Sequence, residues 1–406
     1  MLKGNAIIAQ SGGPTAVINN SVCGVVERWL SVDAPGRIYA GLHGIKGILD
    51  ENIIDMSMQD KAVIQGLRYT PGAGIFSCRY KVTPEDQEKL VQLCKKYDIR
   101  YFFYNGGNDS MDTAHKMMLA AEAAGYEMQV IGVPKTVDND LPFTDHCPGF
   151  GSAAKYLATT VMETGIDLQS VSTKNKVTIL EAMGRNAGWL TAAGALAKRR
   201  PEDAPHLVYL PEVPFYIDRF LADVQKVYDA LGYVYVVASE GIVDEKGDYI
   251  AAGGTIDAFG HAQLSGAGEA LKSIVERELG IKARCNTLGT AQRSAMHFAS
   301  LTDVEEAYLS GAKAVDLALE GVSGVMVNLE CQREPQYVCH TGTVPLGKVA
   351  NIEKKVPLEW IVKEGNNVTA DFIHYARPLI MGEINLPMKD GLPDYVHINQ
   401  QIGKIK

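Results

Sequence analysis

Short apolar runs, each leading through a loop into a segment with helical periodicity, constrain this chain more than any other feature. The runs lie at 6–9, 37–40, 100–104, 129–133, 176–180, 206–210, 233–238 and 324–328. Several, such as Tyr-Phe-Phe-Tyr at 101–104 and Val-Tyr-Val-Val-Ala at 234–238, are apolar almost throughout. Strands covered on both faces read this way. Between them, 85–97 places Leu90, Leu93, Cys94 and Tyr97 three or four apart on one face, as an amphipathic helix does. Similar patterns recur at 111–124, 152–164, 218–231, 269–279 and 303–319. Strand–loop–helix units repeated this often predict an α/β fold with largely parallel sheets. In such folds, ligands sit on the loops that leave the carboxyl ends of the strands.

The aperiodic stretch 135–149 suggests a lobe boundary near 145, and the proline-bearing last ~60 residues read as a loop-rich cap. With 406 residues, the chain is long enough for two or three compact lobes. The formal charge of −9 argues against a general nucleic-acid binder, which needs a basic face to displace counterions. No apolar run approaches the ~20 residues that span a bilayer, and the N-terminal apolar stretch is too short for a secretory h-region. The seven cysteines are scattered and include no CxxC pair, so they read as thiols in a reducing compartment. A cytoplasmic protein without nucleic-acid or membrane partners is expected.

Four loops could carry chemistry. After the first strand, Gln-Ser-Gly-Gly-Pro at 10–14 exposes backbone N–H groups beside a helix start, which suits a phosphate or a plain tight turn about equally. The 70–81 loop combines Gly72 and Gly74 with Arg79 and Lys81. After the 100–104 run come Gly106, Gly107, Asn108, Asp109 and Ser110. After the 129–133 run, Lys135, Thr136, Asp138 and Asp140 fall within six residues. Two carboxylates two residues apart repel unless they share a cation or a proton, an arrangement suited to general-base work with a metal. No GxxxxGK[ST] occurs, which excludes a P-loop nucleotidase. Gly149-Phe-Gly151-Ser-Ala-Ala154 matches a dinucleotide fingerprint but does not follow a strand directly.

Five motifs in order, Asn-Gly-Gly-Asn-Asp-Ser at 105–110, Pro-Lys-Thr-Val-Asp-Asn-Asp at 134–140, Glu-Ala-Met-Gly-Arg-Asn-Ala-Gly-Trp at 181–189, Val-Val-Ala-Ser-Glu-Gly at 236–241 and Leu-Gly-Thr-Ala-Gln-Arg-Ser at 288–294, resemble the phosphofructokinase family. The likeness is to its pyrophosphate-dependent branch and runs from the Gly12-Gly13 loop to about residue 330. It implies two Rossmann-like lobes with a cleft between them, and a reversible Mg²⁺-dependent phosphoryl transfer from diphosphate to the 1-hydroxyl of fructose 6-phosphate. Residues 1–145, with about 290–345, would form the donor lobe, and 146–289, with about 346–406, the sugar-phosphate lobe. Asp138 resembles the general base. Thr136, Val137, Met183, Gly184, Arg185, Glu240, Arg284 and Arg293 match sugar-phosphate contacts, with Arg185 also stabilising the transferring group. Gly13, Arg79 and Ser110 match donor contacts.

ATP-using members of the family show glycine at the positions of Asp109 and Lys135. A carboxylate at 109 would repel a nucleotide α-phosphate, and a lysine at 135 would support a pyrophosphate leaving group. Both changes favour diphosphate over the alternative donor, ATP. Asp140 is similar to the carboxylate that organises the metal-bound phosphate. Asn108 replaces the first aspartate of the family's Gly-Gly-Asp-Asp, a departure that leaves metal ligation there open and motivates a remote alternative, a non-catalytic sugar-phosphate sensor. Family sites that borrow arginines between subunits imply a homodimer or homotetramer.

Overall fold

The computed structural model describes residues 1–173, 176–250 and 266–405. Two sheets dominate it. The larger contains β1 (Asn5–Gln10), β2 (Ile38–Gly41), β3 (Ile53–Asp55), β4 (Ile99–Gly106) and β5 (Gln129–Pro134). The smaller contains β6 (Val177–Ala182), β7 (Leu207–Tyr209), β8 (Val234–Ser239) and β9 (Ala283–Thr287). The chain then returns to the larger sheet with β10 (Val325–Gln332) and β11 (Val338–Pro345). The strand orders are β11-β10-β5-β4-β1-β2-β3 and β7-β8-β6-β9. All pairings in the smaller sheet are parallel. In the larger sheet only the two outer pairs, β2–β3 and β10–β11, are antiparallel. The expected α/β class with largely parallel sheets is what the chain adopts.

The strands legible from sequence are those buried on both faces: every residue of β5, β6 and β8 is buried. Tyr101 and Phe103 of β4 pack on one side with Ile8, Trp29 and Val315, while Phe102 and Tyr104 pack on the other with Leu90, Met111 and Met117. That alternation gives the larger sheet a helical layer on each face. On one of them, helix Ile18–Ser31 lies against helix Leu301–Leu319. A Cβ on Gly24 would sit 2.1 Å from Tyr308 O, and one on Gly311 would sit 2.1 Å from Ser21 O, so only glycines permit this backbone approach.

Helix Phe150–Ser170 joins the sheets and packs through Phe150, Leu157 and Val161 with Leu180 and Val237 of the smaller one. The dinucleotide-like glycines lie at its start, where they serve packing. Gly149 has φ +111° and touches Thr15, and Gly151 faces Leu379 O. The anion position of this helix N-terminus is filled from within, because Asp303 accepts the N–H groups of Gly149 and Ser152 at 2.8 and 2.9 Å. The C-terminal stretch covers both sheets. Phe372 and Leu379 pack with the smaller one, whereas Ile398 joins the core of the larger one. Among the described residues no helix is long and apolar enough to cross a membrane.

Candidate active site

The loop that leaves β1 forms a cradle for negative charge. Gly12 adopts φ +80° and donates its N–H to Cys78 O at 3.0 Å, while its carbonyl accepts the Ser77 hydroxyl at 2.7 Å. Lys135, directly after β5, is buried and extends Nζ to the carbonyl oxygens of Ser11 (2.8 Å) and Gly13 (2.9 Å). A Cβ on Gly13 would lie 2.5 Å from Arg293 Nη1 and 3.8 Å from Arg79 Nη2. Three cationic side chains from distant parts of the chain therefore meet at one bare glycine. Burial pushes the Lys135 pKa down to about 8, and repulsion from Arg293 and Arg79 works in the same direction against Asp138 and Asp140. Like charges held this close create a positive field suited to an anionic ligand.

The carboxylates face this cradle. Thr136 Oγ1 accepts the Asp138 N–H at 3.1 Å. Asn139, left-handed at φ +55°, sits between the two aspartates and turns inward. Its amide donates to Tyr375 Oη at 2.8 Å, and its oxygen accepts the Cys147 N–H at 2.9 Å. The loop that carries Asp138 and Asp140 is thus pinned at its centre. Burial raises the Asp138 pKa, opposed by Lys135, Arg185 and Arg293. Burial, then the Asp138 charge, pushes Asp140 up to about 7. Asp140 Oδ1 is buried without a hydrogen-bond partner among the described residues. A desolvated carboxylate with a vacant acceptor is suited to a hard divalent cation.

The third wall comes from the smaller sheet. After β6 the chain turns at Gly184, φ +134°. Ser239 Oγ donates to Gly184 O and accepts the Gly241 N–H at 3.0 Å. Glu240 accepts the Gly184 N–H at 3.3 Å, and Gln292 Oε1 accepts the Met183 N–H at 3.0 Å. A Cβ on Gly241 would fall 1.8 Å from Arg185 O, so this turn closes directly on backbone. Arg185 Nε is buried without a hydrogen-bond partner among the described residues. Its charge lowers the pKa of both Asp138 and Glu240, so it lies near both carboxylates. Burial raises Glu240 to about 7, with its Gly184 N–H opposing.

Most of these side chains lie on loops that the sequence singles out, whereas their partners come from elsewhere in the chain. Arg293, matched by resemblance to the sugar-phosphate side, lies against Gly13 beside Arg79. Arg284 is exposed on the edge strand β9. Val137 packs with the core of the smaller sheet, so the 135–140 loop bridges both lobes. Asp109 is exposed in the first turn of helix Asn108–Ala123, and Ser110 is buried against Gly106. Both ends of the Asn108 amide hold the backbone of 351–352: the oxygen accepts from Asn351 N and the nitrogen donates to Ile352 O. Glu353 was not anticipated. It accepts the Asn186 amide at 2.9 Å and adds negative charge near Asp138 and Asp140. A lone glutamate in a proline-bearing tail carries no motif by which it could have been found.

A cationic cradle beside desolvated carboxylates, between two largely parallel sheets, is the kind of site on which phosphoryl-transfer enzymes work. The chain belongs to the phosphofructokinase family, whose model, described as Phosphofructokinase, matches residues 5–318. It is 45% identical over 400 residues to a pyrophosphate–fructose 6-phosphate 1-phosphotransferase of Halomonas elongata, covering 97% of this chain and 96% of that one. A protein of the same description from Xanthomonas campestris pv. campestris is 46% identical over 406 residues, covering 98% and 97%. The crystal structure of a pyrophosphate-dependent phosphofructokinase from Marinobacter aquaeolei superposes with a TM-score of 0.91 at 44% identity, covering 100% of this chain and 98% of that one.

Proposed function

We propose that this protein transfers a phosphoryl group, reversibly, from diphosphate to the 1-hydroxyl of fructose 6-phosphate, giving fructose 1,6-bisphosphate and phosphate. The observation that carries this reading is the convergence of Lys135, Arg293 and Arg79 on Gly13, a charge density matched to a small polyanion. In this reading Asp138 takes the proton from the sugar hydroxyl, helped by the desolvation that raises its basicity. Lys135 and Arg293 stabilise charge on the departing phosphate, and Arg185 neutralises the group in flight. Glu240 and the backbone of Met183 and Gly184 hold the sugar hydroxyls, and Thr136 orders the Asp138 loop from below.

Asp140, with its unpartnered oxygen, fits Mg²⁺, whereas the Asn108 amide is engaged with the 351–352 backbone. When bound, Mg²⁺ would supply positive charge to the phosphate oxygens. The larger sheet would present the donor and the smaller sheet the sugar phosphate, in a cytoplasmic homodimer or homotetramer whose exposed Arg284 reaches a neighbouring subunit's site. The test is a pair of initial-rate measurements at saturating Mg²⁺ and fructose 6-phosphate. Turnover with diphosphate and none above background with ATP is expected, and the opposite preference would overturn the donor assignment.

Two variants probe the finer roles. Asp109→Gly removes a carboxylate from the helix start beside the cradle. A carboxylate at this position repels a second anion, an effect that solvent screens in part at an exposed group. ATP should therefore begin to inhibit diphosphate turnover in this variant, and unchanged ATP insensitivity would place the gate elsewhere. Glu240→Gln should raise KM for fructose 6-phosphate while largely preserving kcat, since glutamine still accepts the Gly184 N–H. Arg185→Lys should also lower kcat, because an ammonium does not reproduce the planar fork. Steady-state kinetics of both variants separates the roles, and identical KM-only effects would contradict them.

A further inference from the structure

Behind the 138–140 loop lies a polar cluster that the proposed reaction does not use. It is joined to that loop by Tyr375, whose hydroxyl accepts from Asn139 and donates to Asp145 O, each at 2.8 Å. β10 and β11 pair Cys331 with Cys339 directly across the antiparallel ladder. Their sulfurs and the Glu306 carboxylate lie within 4.8 Å of one another, and both cysteines are only half-buried. Directly opposed strand residues have Cα atoms about 4.5–5.5 Å apart, inside the ~4.4–6.8 Å range that a disulfide bridges.

The surroundings of Cys331 select thiol chemistry over metal binding. His146 is fully enclosed, with Nδ1 3.0 Å from Asp145 and Nε2 2.6 Å from Glu306. Burial opposes its charge, but Glu306 and Asp145 together hold its pKa well above the ordinary value, so the ring is an imidazolium. Arg333 fixes Asp145 with two bonds of 2.8 and 2.7 Å, and Tyr337 donates to Glu306 at 2.6 Å. With both nitrogens engaged by carboxylates, His146 has no lone pair free for a metal. Its Nδ1 lies 3.8 Å from Cys331 Sγ, and Tyr337 Oη lies 3.3 Å from the same sulfur. The Cys339 thiol, which donates to His340 O at 3.7 Å, and the imidazolium beside it bring Cys331 down to about 6 against the effect of burial, while the nearby Cys331 sulfur and burial drive Cys339 up. A thiolate facing a protonated thiol is an attacking and resolving pair.

We propose that Cys331 and Cys339 form a reversible dithiol–disulfide site, oxidised by hydrogen peroxide and reduced by small thiols. The Cys331 thiolate attacks one peroxide oxygen, the O–O bond breaks, and hydroxide leaves and takes a proton to become water. Cys339 then attacks the resulting Cys331 sulfenic acid; the S–S bond forms, the S–O bond breaks, and a second water leaves with the Cys339 proton. The net change is two thiols and one peroxide to one disulfide and two waters. Two equivalents of a small thiol reverse it and become one disulfide.

The experiment treats the native full-length protein with a small excess of hydrogen peroxide, blocks remaining thiols and maps the peptides by mass spectrometry. A Cys331–Cys339 disulfide that dithiothreitol removes is expected. Cys339→Ser should instead accumulate a dimedone-reactive sulfenic acid at Cys331, and Cys331→Ser should abolish both products. Alkylation of Cys331 by iodoacetamide should titrate with a midpoint near pH 6, against ~8.5 for an ordinary thiol. This last measurement uses the unsubstituted protein and does not depend on the variants folding. Three results would each overturn the proposal: peroxide leaving both thiols free, Cys331 pairing with another cysteine, or stoichiometric metal that protects Cys331 from alkylation until it is chelated.

Discussion

An Asp138→Asn variant is expected to lose roughly 10²–10⁴-fold in kcat with little change in KM for either substrate. The amide keeps the volume of the carboxylate, and Thr136 Oγ1 still receives the 138 N–H, so the loop should stay in place. Pinning of Asn139 by Tyr375 and Cys147 argues the same way. What disappears is a base whose proton affinity is raised by desolvation and tempered by Lys135, Arg185 and Arg293. The wild-type rate should accordingly decline as pH falls through the Asp138 pKa, because the protonated acid is too weak a base to take the hydroxyl proton. A variant that kept more than a tenth of wild-type kcat would remove Asp138 from the role of base.

The second large effect is expected at Lys135. Lys135→Met keeps an unbranched side chain one atom shorter and discards its charge, and kcat with diphosphate should fall about 10²–10³-fold, as when one preorganised donor is removed from a transition-state site. Stability should respond quite differently. A pKa depressed from 10.5 to about 8 corresponds to roughly 3 kcal/mol against the charged form in the folded state. Between those two values the unfolded chain binds more protons than the folded one, so wild-type stability rises with pH across that window. Below about pH 8 the full cost of the buried charge is present. Methionine removes it but leaves the carbonyls of Ser11 and Gly13 without their donor, so Tm near pH 7 should change little. Thermal melts of the ligand-free protein beside its kinetics distinguish the readings. A large drop in Tm that accounts for the lost activity would make Lys135 a structural tether alone.

The strands that sequence alone made visible are those enclosed on both faces, because burial demands an unbroken apolar run. Edge strands carry no such demand. β9 (Ala283–Thr287) is largely half-buried or exposed, and β11 is half-buried or exposed at every residue but Val344, so neither stands out in the sequence. β3 is fully buried but only three residues long, too short to carry a period. The same distinction runs through the site. Asp138, Asp140, Lys135 and Glu240 were legible because each sits on a loop directly after an apolar strand, where the fold class itself directs attention. Glu353 and the Asn351 backbone reach the cleft from a stretch without periodicity, and nothing local marks them.

The amino-acid sequence was enough to reach the α/β class, the loops proposed to carry the chemistry, and the aspartates and basic residues upon them. These follow from hydrophobic periodicity and residue type, which are local properties of the chain. Tertiary structure alone decided that Arg79, Lys135 and Arg293 converge on Gly13, that Tyr375 and Cys147 pin Asn139 between its two carboxylates, and that Cys331 meets Cys339 beside a charged His146. Each of these depends on segments far apart in the chain being packed side by side. Their charges and pKa values depend on the desolvation which that packing imposes, and on distances between groups that no local pattern encodes.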